Sequence, residues 1–194
     1  MRLMMIRHPL SDANAQGIVY HNQQGGIDPR GYEQIEKLLH RLNGENFDRI
    51  YSSDAYRCRI LAERIAEQRG VKVIYHPLFV EINNGDWHGK TKEEIEKRLQ
   101  ADPLNTRPPN GESLRDLADR AEEARKFILA EGGERNVLIS HARFMKMFLG
   151  IQIGLNPIQA LNHIKFSNCA ISEIRISDGE CMIEYLNNRD YLQK

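Results

Sequence analysis

Short apolar runs alternate with stretches of helical periodicity along the whole chain, and this alternation restricts the fold more than any other feature of the sequence. Residues 3–6 form an apolar run short enough for a buried strand. Tyr32, Ile35, Leu38, Leu39 and Leu42 then follow helical spacing, with Asp28 and Pro29 as N-cap and first helical residue. Residues 47–52 read as a second strand. Behind them Cys58, Leu61, Ala62 and Ile65 stand at i, i+3, i+4, i+7 on a helix opened by Ser53 or Asp54. A third strand spans 71–75 and is stopped by Pro77.

In the middle of the chain, Thr91 and Glu94 have capping-box spacing and introduce a short helix ending near Leu99. Residues 102–111 hold three prolines and a glycine and are expected to be loop. Leu114, Leu117, Ala118 and Ala121 restart a helical stripe entered through Ser113. Residues 137–139 form a fourth strand and 144–151 a largely buried helix. Two last strands, 170–176 and 181–186, flank a turn at 177–180. The order predicts a three-layer α/β/α sandwich around a mostly parallel sheet, in one domain over 1–194. The region at about 83–113 is expected to be a small cap inserted over one end of that sheet.

Charge narrows the range of partners. Lys and Arg total 27, as do Asp and Glu, so the chain is formally neutral and lacks the basic footprint of a non-specific nucleic-acid binder. No apolar run approaches the roughly 20 residues of a membrane span. Residues 1–6 are too short for a secretory signal core, so a cytoplasmic location is expected. Cys58, Cys169 and Cys181 share no metal-type spacing and read as thiols of a reducing compartment. The seven histidines include no zinc-type pair with a third ligand, and no metal or other cofactor is expected. Neutrality leaves a homodimer open.

Two histidines share one local setting. His8 follows the 3–6 strand and His141 follows the 137–139 strand, and the carboxyl ends of parallel strands are where open α/β sheets bind ligands. Arg7 adjoins His8, and Arg57 lies in the first turn of a helix, whose free N–H groups already favour anions. Such a cationic cluster in a neutral chain suits a phosphoryl group. A neutral imidazole can attack phosphorus, and a carboxylic acid can protonate the leaving alkoxide. Glu81, between an apolar stretch and the turn at 84–86, is the candidate acid.

Arg7-His8 with Asn14 resembles the opening motif of the histidine phosphatase superfamily, which includes the phosphoglycerate mutases. The segment from Asp28 to Gln34, then Ser52-Ser53-Asp54 with Arg57, then Glu81 with Gly85, Trp87 and Gly89, follow in that family's order. Gly111-Glu112-Ser113, Ser140-His141 and Asn168-Cys169-Ala170-Ile171 complete the series. The resemblance implies a phosphoglycerate mutase-like fold and a phosphorylated nucleophile at His8. It makes Glu81 the proton donor and later base. Arg7, Arg57 and His141 would hold the phosphoryl oxygens, and Asn14 would add a hydrogen bond. Trp87 and Gly89 read as packing and turn residues. Two positions depart from the pattern: Pro9 and Ala142 stand where the family usually has glycine after each histidine, and Pro9 lacks an N–H and fixes φ.

The resemblance therefore implies a metal-independent phosphatase acting on a small phosphorylated metabolite. Mutase-type members are longer than 194 residues, and the short 102–111 loop favours water as final acceptor. The alternatives are a mutase-type phosphotransferase, or a phospholigand-binding protein that has lost turnover through Pro9. The 15–26 loop, the 83–113 segment and Arg143 are expected to line the outer pocket.

Overall fold

Leu3, Met4, Met5 and Ile6 are each no more than 1% exposed, so strand β1 (Arg2–Arg7) is covered on both faces. Because side chains alternate along a strand, Leu3 and Met5 enter one core while Met4 and Ile6 enter another. The computed structural model describes residues 1–17, 26–99, 101–177 and 179–193. Its other strands are β2 (Arg49–Ser52), β3 (Val73–Tyr75), β4 (Arg135–Ser140), β5 (Ile171–Ser177) and β6 (Glu180–Asn188). Its helices are α1 (Asp12–Ala15), α2 (Pro29–Arg41), α3 (Tyr56–Arg69), α4 (Lys92–Leu99), α5 (Leu114–Glu131), α6 (Ala142–Gln152) and α7 (Pro157–His163).

The six strands form one sheet in the order β3-β2-β4-β1-β5-β6. The first four run parallel, and β5 and β6 add an antiparallel hairpin at one side. One apolar cluster joins Leu3 and Met5 to Leu117, Ala121, Phe144 and Phe148 of α5 and α6. The other joins Met4 and Ile6 to Ile35, Leu38, Leu61 and Ile65 of α2 and α3. The fold is thus a three-layer α/β/α arrangement. Register decides where the site lies: Arg7 pairs with Ser140 across β1 and β4, so both strands release their next residue, His8 and His141, at the same sheet edge.

Several local features differ from the sequence reading for physical reasons. Tyr32 is 43% exposed, and Gly31 takes its place on the buried face of α2. Neither Ser53 nor Asp54 caps α3; Ala55 occupies that position without a side-chain bond. β2 and β3 begin two residues late, at Arg49 and Val73. Helix α7 was not anticipated, although Asn156, Pro157 and Gln159 supply a capping box and a first-turn proline. Within 83–113, Thr91 and Glu94 exchange both capping bonds ahead of α4, and 101–113 contains neither helix nor strand. Gly85 lets the two ends of this segment touch, since at φ 48° a Cβ there would lie 2.0 Å from the Pro109 carbonyl oxygen.

Gly31 brings α2 against the turn that follows His8. A Cβ at this position would lie 2.2 Å from the Leu10 carbonyl oxygen and 2.7 Å from Ile27 Cγ2. Alanine gains about 1 kcal/mol in helix propensity over glycine, but overpacking against fixed backbone costs roughly 1–3 kcal/mol. Gly31→Ala is therefore expected to lower the urea midpoint. A raised midpoint would show that the contact yields freely.

Candidate active site

His8 and His141 face each other with ring centroids 5.1 Å apart, and are 3% and 1% exposed. His8 N–H donates to the Ser140 carbonyl at 3.0 Å, which extends the β1–β4 ladder by one bond. The His8 Nδ1 lies 2.7 Å from the Pro9 carbonyl oxygen. A carbonyl only accepts, so Nδ1 carries the proton and Nε2 holds the lone pair. Pro9 thus fixes the tautomer through a carbonyl, which proline retains. Asn168 Nδ2 clamps the same turn by donating to the carbonyls of His8 and Pro9, at 3.1 and 3.2 Å.

His141 has the opposite tautomer. Its Nδ1 lies 3.0 Å from Arg57 Nη2, and a guanidinium only donates, so the proton sits on Nε2. That Nε2–H donates to Ser53 Oγ at 2.9 Å, and Cys58 Sγ stands 3.5 Å from the same nitrogen. Both ring nitrogens of His141 therefore have protein partners. Ser53 Oγ also accepts the Ala55 N–H. This explains why Ser53 does not cap α3: its hydroxyl serves His141. Burial pushes the Cys58 thiol up to about 12, so an uncharged sulfur lies beside the imidazole.

Arg57, 6% exposed, reaches His141 from the first turn of α3. Arg7 donates through Nη1 to the Phe166 carbonyl at 2.9 Å and through Nη2 to Asn14 Oδ1 at 3.3 Å. Asn168 Nδ2 donates to the same Asn14 oxygen at 2.9 Å. The sequence reading gives Asn14 a hydrogen bond to the phosphoryl group; in the structure its side-chain oxygen accepts from Arg7 and so orients the guanidinium. Burial lowers the Arg7 pKa, and the Glu81 carboxylate acts against that lowering.

Glu81 lies across the N-terminus of α6. Its Oε1 accepts the N–H groups of Ile82 and Phe144, both at 3.0 Å, and its Oε2 accepts that of Arg143 at 3.2 Å. The helix's own N-cap, His141, makes no capping bond, so Glu81 satisfies donors left free there. One helix terminus thus carries both the second histidine and the carboxylate.

Sequence reasoning did not find the residue that holds the Glu81 segment. Arg120 of α5 donates to the carbonyls of Leu78, Val80 and Glu81 at 2.9, 2.8 and 3.4 Å. It also forms a two-pronged pair with Glu112 at 2.8 and 2.9 Å, and Glu112 accepts the Asn83 N–H. Ser140 Oγ donates to the Phe79 carbonyl at 2.6 Å. Glu112 belongs to the Gly111-Glu112-Ser113 motif, but no local signal separates Arg120 from the other arginines of its helix. Trp87 is covered by the Arg98 guanidinium at 5.7 Å, and Gly89 has φ 80°. Of the 15–26 loop, residues 18–25 lie outside the described residues. Among the described residues no group of three or more His, Cys, Asp or Glu side chains could hold a metal ion, and no helix is long and apolar enough to cross a membrane.

Burial, followed by the charge of Arg57, holds both imidazoles well below their ordinary pKa. Lowered folded-state values mean that the unfolded chain takes up protons first as pH falls. Stability is then fully present above about pH 6.5 and declines below it, at up to about 1.4 kcal/mol per pH unit for each histidine. Urea unfolding between pH 7.5 and 5 is expected to show this decline. A flat profile would contradict the buried neutral pair.

A family model for the histidine phosphatase superfamily (branch 1) matches residues 3–189. The chain belongs to this superfamily. An adenosylcobalamin/alpha-ribazole phosphatase of Escherichia coli K12 is 27% identical over 97% of this chain and 97% of its own length. Phosphoserine phosphatase 1 of Hydrogenobacter thermophilus is 30% identical over 96% of this chain and 92% of its own. A relative from Serratia proteamaculans that carries a phosphoglycerate mutase name is 24% identical over 90% of this chain and 84% of its own. The crystal structure of the alpha-ribazole phosphatase from Shigella flexneri superposes with a TM-score of 0.88 at 22% identity, over 97% of this chain and 96% of that one, and confirms the fold.

Proposed function

We propose that this superfamily member is a metal-independent phosphomonoesterase of small phosphorylated metabolites that works through a phosphohistidine on His8. The observation that carries the reading is the His8 tautomer: the Nδ1–H···O=C bond to Pro9 leaves the Nε2 lone pair on an imidazole that feels the charges of Arg57 and Arg7. Its lowered pKa keeps that lone pair available in mild acid.

In the first step His8 Nε2 bonds to phosphorus as the ester P–O bond breaks, and Glu81 in its acid form gives the leaving alkoxide a proton. In the second, Glu81 as carboxylate takes a proton from water while the water oxygen bonds to phosphorus and the P–N bond breaks. Arg7 and Arg57 neutralise the phosphoryl oxygens, with Asn14 fixing Arg7. His141 orients Arg57, and adds its Nε2–H once a phosphoryl oxygen replaces Ser53 as partner. The names of the E. coli and Hydrogenobacter relatives support a small phosphoester as substrate.

The test is release of phosphate from p-nitrophenyl phosphate at mildly acidic pH with excess EDTA. Sustained turnover is expected. Inactivity with the phosphoester still bound would overturn the reading in favour of a binding protein, and interconversion of 2- and 3-phosphoglycerate would replace it with a mutase.

A further inference from the structure

A chamber of about 390 Å³ runs between the 83–113 segment and the paired helices α6 and α7. Apolar side chains form part of both walls, Trp87, Ile95, Leu99 and Pro108 on one side and Ile158 and Leu161 on the other, with polar and charged residues between them. Ile82 and Arg143 also line it, and their backbone N–H groups hold the Glu81 carboxylate, so the chamber adjoins the segment that carries the candidate acid.

Glu96, Glu112 and Lys146 line the chamber too, but the Arg143 guanidinium belongs to the residue whose backbone N–H holds Glu81. It donates through Nη1 to Asn84 Oδ1 at 3.1 Å, and Asn84 is itself buried. Among the described residues no carboxylate lies within ion-pairing distance of it, whereas Arg120 nearby is fully matched by Glu112. A half-buried cation loses hydration and regains it through a counter-charge, and a ligand anion can supply that charge. The volume lies in the range of ligand pockets and is larger than a three-carbon alcohol fills.

Building on the phosphatase reading, we infer that this chamber receives the leaving alcohol and that Arg143 pairs with a carboxylate-type anion on it. The substrate class is a phosphomonoester whose alcohol combines an apolar ring or chain with an anionic group.

The test compares kcat/KM for three probes: ethyl phosphate, 2-naphthyl phosphate and its 6-carboxylated analogue. Wild type is expected to favour the carboxylated naphthyl ester. Arg143→Met should reduce the ratio of carboxylated to plain naphthyl ester by about tenfold or more, the size of one charge-assisted bond. Ile158→Trp fills the chamber from a residue that is 40% exposed, and should lower both naphthyl esters relative to ethyl phosphate. An unchanged ratio in either variant, with urea midpoints near wild type, would overturn the inference. If wild type turns over none of the esters, the phosphatase reading fails by itself. Calorimetric binding of the carboxylated probe then decides: about tenfold weaker binding to Arg143→Met supports the inference, and equal binding overturns it.

Discussion

His8→Ala is expected to reduce kcat/KM on p-nitrophenyl phosphate by about 10⁵-fold or more, the scale seen when a covalent nucleophile is removed. The loss is chemical, because Arg7, Arg57 and His141 keep their partners on other elements. Phosphate should therefore still bind this variant while no phosphoenzyme forms. A variant that retained a normal phosphoenzyme yield would remove His8 from the nucleophile's role and turn attention to another group. Cys58 is a poor replacement, since its thiol is held uncharged by burial.

Glu81→Gln should divide substrates by leaving group. Esters of alkyl alcohols need a proton on the departing oxygen and are expected to slow by about 10²–10⁴-fold, whereas p-nitrophenyl phosphate needs little help and should slow far less. The variant also has a structural cost. Glutamine keeps one oxygen for the N–H groups of Ile82 and Phe144, but its amide NH₂ would face the Arg143 N–H. A melting measurement separates this cost from the chemistry. Equal losses on both ester classes would mean that Glu81 only positions the start of α6.

The sheet was legible because its information is local. Apolar runs ending in Arg7-His8 and Ser140-His141 placed two histidines after two strands, and the parallel register of β1 and β4 made them neighbours. Arg57 and Glu81 were identifiable by type and position, and both lie at helix starts close to those histidines. What stayed hidden depends on partners distant in sequence. Ser53 looked like a cap because capping is a local rule, yet His141, 88 residues away, takes its hydroxyl. Tyr32 matched the helical stripe, but the close approach of Leu10 admits only the glycine beside it. Arg120 became visible only when three carbonyls and Glu112 converged on it. Pro9 looked like a threat to the His8 loop from its missing N–H, while its carbonyl sets the imidazole tautomer.

The most direct test of the account is the site of phosphorylation. Rapid alkaline quench during turnover, followed by peptide mass spectrometry and ³¹P NMR, should place the label on His8 at Nε2. Phosphate on Nδ1 would require the bond to Pro9 to be broken and would contradict the tautomer argument. Label on another residue, or none during steady turnover, would contradict the phosphohistidine mechanism itself.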